Sequence, residues 1–313
     1  MVHQNNTIGG YFALEINSGE DYWPEAIRLN TARNCLRYII RNYKIQTLYV
    51  PSYTCPVVWE AVRSEGCDMR FYSIDHNFLP QASFPTDAYI LYTNYFGVCS
   101  ETAVQLAQQY PRLIVDCSQS FYSGRLGFAS FNSARKFFGV PDGAYLFMDW
   151  QPNLELERDI SMGRVSHLLV RTEHGAEAGY PMFRENEKIL CGEDIKAMSR
   201  LTHTILQGIE YQSSAQKRRA NYSVLEELLG DINELSCPIG KQDVPMAFPF
   251  FCRQKNLREK LISKKIFIPT FWKGQLDIGF GAELELFLLP LPIDQRYGSE
   301  DMEYIRDCIY KNL

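Results

Sequence analysis

The sequence predicts an α/β protein in which a mostly parallel sheet flanked by helices is followed by a smaller α+β lobe. Three observations lead there. Up to Met148, short apolar runs bounded by Gly, Pro, Asp and Ser alternate with stretches of helical period, the pattern of a sheet built from strand–helix–strand units. One apolar run, 113–115, stops at Asp116, and another, 144–148, follows a loop that carries Arg135 and Lys136. From Asp231 the order changes to AFPFFC, NLREKLISKK, IFIPT, ELFLLPLPI and SEDMEYIRDCIYKNL, read as strand, helix, strand, strand and closing helix. The expected division is a large domain, 1–230, and a small C-terminal domain, 231–313.

Residues 8–15, IGGYFALE, read as a short arm or strand. From Ala32, the residues Leu36, Ile39, Ile40 and Tyr43 recur at helical spacing behind the capping residues Asn30 and Thr31. A helix start offers free N–H groups to an anion, and Arg33 would add charge; an ordinary capped core helix has the same pattern. A strand at 47–50 ends in PSYTCP, a helix at 57–63 follows, and a strand at 69–74 completes a parallel unit. AYILY, 88–92, is a strand, and ETAVQLAQQY is a helix leading to the run at 113–115. ISMGRVSHLLVRTEHG has helical period and is followed by loop. Two helices follow within 193–230, the second with Tyr222, Leu225 and Leu229 on one face and with Lys217, Arg218 and Arg219 as a solvated basic face.

Ligands of open α/β sheets collect beyond the carboxyl ends of the strands. An acid at such an end, Asp116, with a lysine on a following loop, Lys136, suits one chemistry. The lysine amine can form a Schiff base with an aldehyde cofactor, and the carboxylate can keep that cofactor's pyridine nitrogen protonated. Spacing alone also allows Asp116 to cap a loop and Lys136 to be a solvated cation.

The wording of this stretch, VDCSQSF, ASF and RKFFGVPDGAYL, resembles the core signature of the DegT/StrS sugar aminotransferases, which are fold-type I enzymes dependent on pyridoxal 5'-phosphate (PLP). The resemblance implies that Asp116 pairs with the pyridine nitrogen, that Gln119 reaches the ring hydroxyl and that Lys136 holds the cofactor. Counting forward from Ser130, with the family's gap, reaches Arg135; counting back from Asp142-Gly143 reaches Lys136, which is the assignment made. LNTARNCL resembles the family's phosphate-cradling segment, with Thr31, Ala32 and Arg33 on its three positions and Ala32 in place of a glycine. Ser130 or Ser133 would complete the phosphate contacts. PSYTCP, EGC and FYSID also match. Cys55 stands where the family places an aromatic ring over the pyridine, so Tyr53, another ring or the Cys55 sulfur would cover that face; Tyr53 reads equally as a packed strand-end aromatic. Asn94 replaces a family histidine. The resemblance extends through FIPTFW and LPLPI, where Trp272 is either near substrate or core.

A net charge of -5 gives no basic field for nucleic acid or anionic membrane. Nine cysteines without paired spacing, and an N-terminus lacking the order of a secretory signal, read as reduced thiols in a cytoplasmic protein. His174 has no second histidine at metal spacing, so no metal site is expected. No apolar run reaches membrane-spanning length. By resemblance, the chain is a homodimeric aminotransferase acting on a nucleotide-linked keto-sugar with an amino-acid donor such as glutamate, in polysaccharide or antibiotic-sugar biosynthesis. The alternatives are a PLP-dependent sugar dehydratase, which would carry histidine in place of Lys136, and a non-catalytic binding protein of the same fold.

Overall fold

A computed structural model describes residues 10–149, 156–273 and 279–313. Its centre is a sheet of seven strands: β1 (Ile27–Leu29), β2 (Thr47–Pro51), β3 (Asp68–Tyr72), β4 (Tyr89–Thr93), β5 (Leu113–Cys117), β6 (Ala129–Asn132) and β7 (Ala144–Met148). The spatial order is β1-β7-β6-β5-β4-β2-β3. The pairs β2/β3, β2/β4, β4/β5 and β5/β6 are parallel, and β7 runs antiparallel to both β6 and β1. Every residue of β5, β6 and β7 is buried, as expected of central strands covered on both faces.

The two faces follow from the two-residue period of a strand. Leu113, Val115 and Cys117 pack into a core with Tyr92, Tyr95 and Phe96. Ile114, with Ala129 and Phe131 of β6, packs into the opposite core under α1 (Ala32–Tyr43) and α2 (Pro56–Ser64). Asp116 therefore belongs to the face covered by α1 and α2. The helix α3 (Ser100–Gln109) buries Ala103 and Leu106 in the first core.

After β7 come α4 (Ser166–His174) and α5 (Ala176–Gly192), which pack as a hairpin, then α6 (Arg200–Gln207) and α7 (Tyr211–Leu229). The second sheet pairs β8 (Ala247–Phe251) antiparallel with β9 (Leu288–Pro292), alongside α8 (Leu257–Ser263), α9 (Phe280–Phe287) and α10 (Ser299–Tyr310). Tyr222, Leu225 and Leu229 of α7 enter the core of this lobe beside Phe248, Leu291 and Ile305.

Several local expectations change. Residues 10–15 form no strand, and Tyr11, Phe12 and Leu14 are exposed; residues 8 and 9 lie outside the described residues. IFIPT is not a strand: Ile266 and Ile268 are buried as single anchors without a ladder partner. The ELF of ELFLLPLPI ends α9, so only its second half is strand. α5 replaces an expected loop; Gly179 and Pro181 inside it mask its periodicity. Arg218, expected on a solvated face, is only 1% exposed. Among the described residues, no helix is long and apolar enough to cross a membrane, and no group of His, Cys, Asp and Glu is placed to hold a metal ion.

Candidate active site

A cavity of about 160 Å³ opens at the carboxyl edge of the sheet. The start of α1 contributes Thr31, Ala32, Arg33 and Leu36, and the start of α2 contributes Cys55, Val57 and Val58. The strand ends and the segments after them supply Thr93, Asp116, Ser118, Gln119, Phe131, Ser133, Arg135 and Lys136. Glu187 and Leu190 of α5, and Trp272, close the remaining sides.

The α1 wall is built by capping. Thr31 has extended backbone geometry, and its Oγ1 accepts the Asn34 N–H at 3.1 Å. The first turn holds no acidic side chain, so its early N–H groups keep their attraction for an anion. Asn34 donates from its side chain to the Asp194 carbonyl at 2.8 Å, and Asn30 donates to the same oxygen at 3.0 Å. These bonds fix the start of α1 against the chain leading to α6. Arg33 reaches the α5 end, donating to the Leu190 carbonyl at 3.2 Å and to Cys191 Sγ at 3.2 Å.

Asp116 sits at the end of β5 in register with Thr93 and Phe131. Its Oδ1 accepts the Ser118 N–H at 2.8 Å. Burial pushes its pKa up; Lys136 and the Ser118 hydrogen bonds pull it back toward the ionised form. Gln119 is held by the Phe96 backbone N–H, which donates to its Oε1 at 2.7 Å. Its Nε2 is buried in the cavity wall with no hydrogen-bond partner. Lys136 ends the 3-10 turn Ala134–Lys136 and is exposed. The turn is held by Ala134 N–H on the Gly143 carbonyl and, behind it, by Arg218 and Gln295, which both donate to the Phe137 carbonyl. Burial raises the Cys55 pKa, with Lys136 opposing, so a neutral thiol faces the cavity.

Eight of the ten residues expected from sequence meet here: Thr31, Ala32, Arg33, Cys55, Asp116, Gln119, Ser133 and Lys136. Two do not. Ser130 points to the opposite face of β6, as the strand period demands, and its Oγ accepts the Leu126 N–H at 3.0 Å. Of the two serines, only Ser133 lines the cavity. Tyr53 is fully buried one layer behind, its ring 4.6 Å from that of Trp272. Trp272 and Phe131 supply the aromatic surfaces that Cys55 does not. Asn94 is structural here: its Oδ1 accepts the Cys99 N–H and its amide donates to Ser100. Sequence reasoning missed Glu187, Leu190, Thr93 and Ser118. The first two ride on α5, and the last two follow from strand register rather than from any motif.

No protein-family model matches the sequence, and no curated protein matches it. Solved structures do. A DegT DnrJ EryC1 StrS aminotransferase from Brucella abortus is 13% identical, with 91% of this chain and 85% of that chain covered and a TM-score of 0.61. The PMP form of Spr1654 from Streptococcus pneumoniae, a candidate sugar aminotransferase, is 13% identical over 93% and 89% of the chains, with a TM-score of 0.64. DesI, solved in the presence of its TDP-sugar product, is 16% identical over 91% and 79%, with a TM-score of 0.62. The chain has the sugar-aminotransferase fold. The chain spans most of the length of each of these proteins.

Proposed function

We propose that the chain is a PLP-dependent sugar aminotransferase, with Lys136 as the residue that carries the cofactor. The observation that supports it most is the convergence of Asp116, Gln119 and Lys136 with the start of α1 in one cavity of this fold. The residues fit the group. Gln119 leaves a buried amide donor unpartnered in the wall, as a ring hydroxyl would require, and the acid-free start of α1 suits a phosphate.

Bound there, PLP supplies an electron sink for chemistry at the α-carbon of an amine donor. The chain's own residues do the rest. Asp116 is the group that keeps a pyridine nitrogen protonated; a neighbouring cation offsets the cost of its burial, as Lys136 does here. Thr31, Ala32, Arg33 and Ser133 would hold the phosphate. Gln119 Nε2 donates to the ring hydroxyl. Lys136 Nζ would hold the cofactor and, as a free amine, would serve as the general base toward the donor's α-carbon. Phe131, Trp272 and Cys55 line the cavity and would exclude water from a ring held there.

The acceptor in this reading is a nucleotide-linked keto-sugar, consistent with the TDP-sugar product of DesI, and glutamate is the donor. The working form is a cytoplasmic homodimer. A lysine at 136 favours amino transfer over sugar dehydration. The test is to incubate the PLP-loaded protein with glutamate and measure 2-oxoglutarate, then add keto-sugar nucleotides and follow the aminated product. Stoichiometric 2-oxoglutarate that becomes catalytic with a keto-sugar supports the reading; no oxoacid from any amino-acid donor contradicts it.

A further inference from the structure

Arg135 stands one residue before Lys136 in the same turn and lines the same cavity. Its side chain is 17% exposed, and its Nε is buried with no hydrogen-bond partner. Burial lowers its pKa to about 10, against the opposing pull of Asp142, while Arg164 and Arg33 depress it further. Its ion-pair partner is Glu187, which also lines the cavity and arrives from α5 with 42% of its side chain exposed. Arg33 repeats the arrangement on a smaller scale, with a buried Nε that has no partner. A guanidinium that is largely buried gains most from a partner that offers several oxygens and a full or double charge. A single carboxylate on a separate helix, reached by a side chain that is partly exposed, is a weaker partner, because holding that side chain costs entropy.

We propose that Arg135 is a phosphate-binding residue of this site, and that Glu187 is the exchangeable carboxylate whose place a phosphate monoester takes. The inference rests on the PLP reading above and adds to it a residue and an exchange between two anions. A phosphate monoester carries a charge near -2 at neutral pH and three acceptor oxygens, so it competes well with a single carboxylate for the guanidinium. Arg135 would then bond it through its planar fork, together with the α1 N–H groups that line the same cavity. Glu187, released, turns to the solvent it already half occupies.

The test compares equilibrium binding of PLP with that of pyridoxal, which lacks the phosphate, by the absorbance of the lysine-bound cofactor. It uses the full chain, Arg135→Gln and Glu187→Gln. The unaltered chain prefers PLP. Arg135→Gln narrows the PLP-to-pyridoxal ratio by about tenfold with pyridoxal binding little changed, and Glu187→Gln widens it several-fold. An unchanged ratio in both variants overturns the proposal. So does an unchanged ratio with a raised KM for glutamate in Arg135→Gln, because the guanidinium would then serve the donor's carboxylate. If Arg135→Gln does not fold, the Glu187→Gln arm decides: a wider ratio supports the exchange and an unchanged one overturns it. Failure of the PLP reading itself looks different, since the unaltered chain would then give no band with either ligand.

Discussion

Gln119 accepts the Phe96 backbone N–H on its Oε1 at 2.7 Å and leaves its Nε2 in the cavity wall without a partner. The first contact orients the amide, so the second is a donor aimed by structure rather than by chance. Replacing Gln119 with Leu removes the acceptor and strands a buried N–H, at a cost of about 1–3 kcal/mol. Urea unfolding of the variant measures this, and an unchanged midpoint would show that Phe96 finds another acceptor.

Asp116 carries a stability cost that depends on pH. Its folded pKa is raised by burial above the ordinary 3.8, so the folded chain holds the proton more tightly than the unfolded chain. The stability that this supplies is full below 3.8 and is lost as pH rises through the raised folded value. Asp116→Asn has no such loss. The variant should gain on the wild type across that window, read as the difference between two unfolding series without cofactor. Parallel series would mean that Lys136 and Ser118 cancel the burial.

The Asp142-Gly143 pair, read from sequence as part of a cofactor signature, holds the start of α6. Asp142 accepts the Ser199 N–H at 2.9 Å, the Ser199 hydroxyl at 2.7 Å and the Thr202 hydroxyl. Gly143 has φ +110°, and an added Cβ would stand 2.8 Å from Thr202 Cγ2. Asp142→Ala should cost about 3 kcal/mol, and Gly143→Ala about 1–3 kcal/mol through strain. Thermal melts of both variants check this; a Gly143→Ala variant as stable as wild type would contradict the strain.

Arg218 joins the lysine turn to the small lobe. It donates to the carbonyls of Phe137, Pro245 and Met246 at 3.3 Å, bonds Gln295 at 3.0 Å, and lies 4.4 Å over the Phe137 ring. Arg218→Met removes the donor from the Pro245 and Met246 carbonyls and leaves Gln295 alone on the Phe137 carbonyl, at about 3 kcal/mol. Hydrogen exchange should show faster opening around 134–138 in the variant, and a protected turn there would separate the two lobes' stabilities.

The sequence displayed the parts of this fold that depend on local pattern. β2, β4, β5 and β7 are apolar runs with clear stops, and α1 has both its period and its Thr31 cap. It hid what depends on pairing. β6 is only four residues and half polar; Asn132 is acceptable there because its amide donates to the Phe121 carbonyl and accepts the Tyr145 N–H. β1 pairs with β7 and is bridged at Leu29 to Ala197, both distant in sequence. At the candidate site, motif likeness named Thr31–Arg33, Asp116, Gln119 and Lys136, which line one cavity. The choice between Ser130 and Ser133 needed the β6 face, which a one-residue change in register would reverse. Glu187 was illegible because α5 carries Pro181 and Gly179, which break the period that would have announced a helix.

The central claim is that Lys136 carries the cofactor, and covalent trapping tests it most directly. The protein is incubated with PLP, reduced with borohydride, digested and mapped. A visible-edge absorbance band that borohydride abolishes, with the label on Lys136 and lost in Lys136→Ala, is the result expected. A label on another lysine, or no band from folded protein, would contradict the assignment.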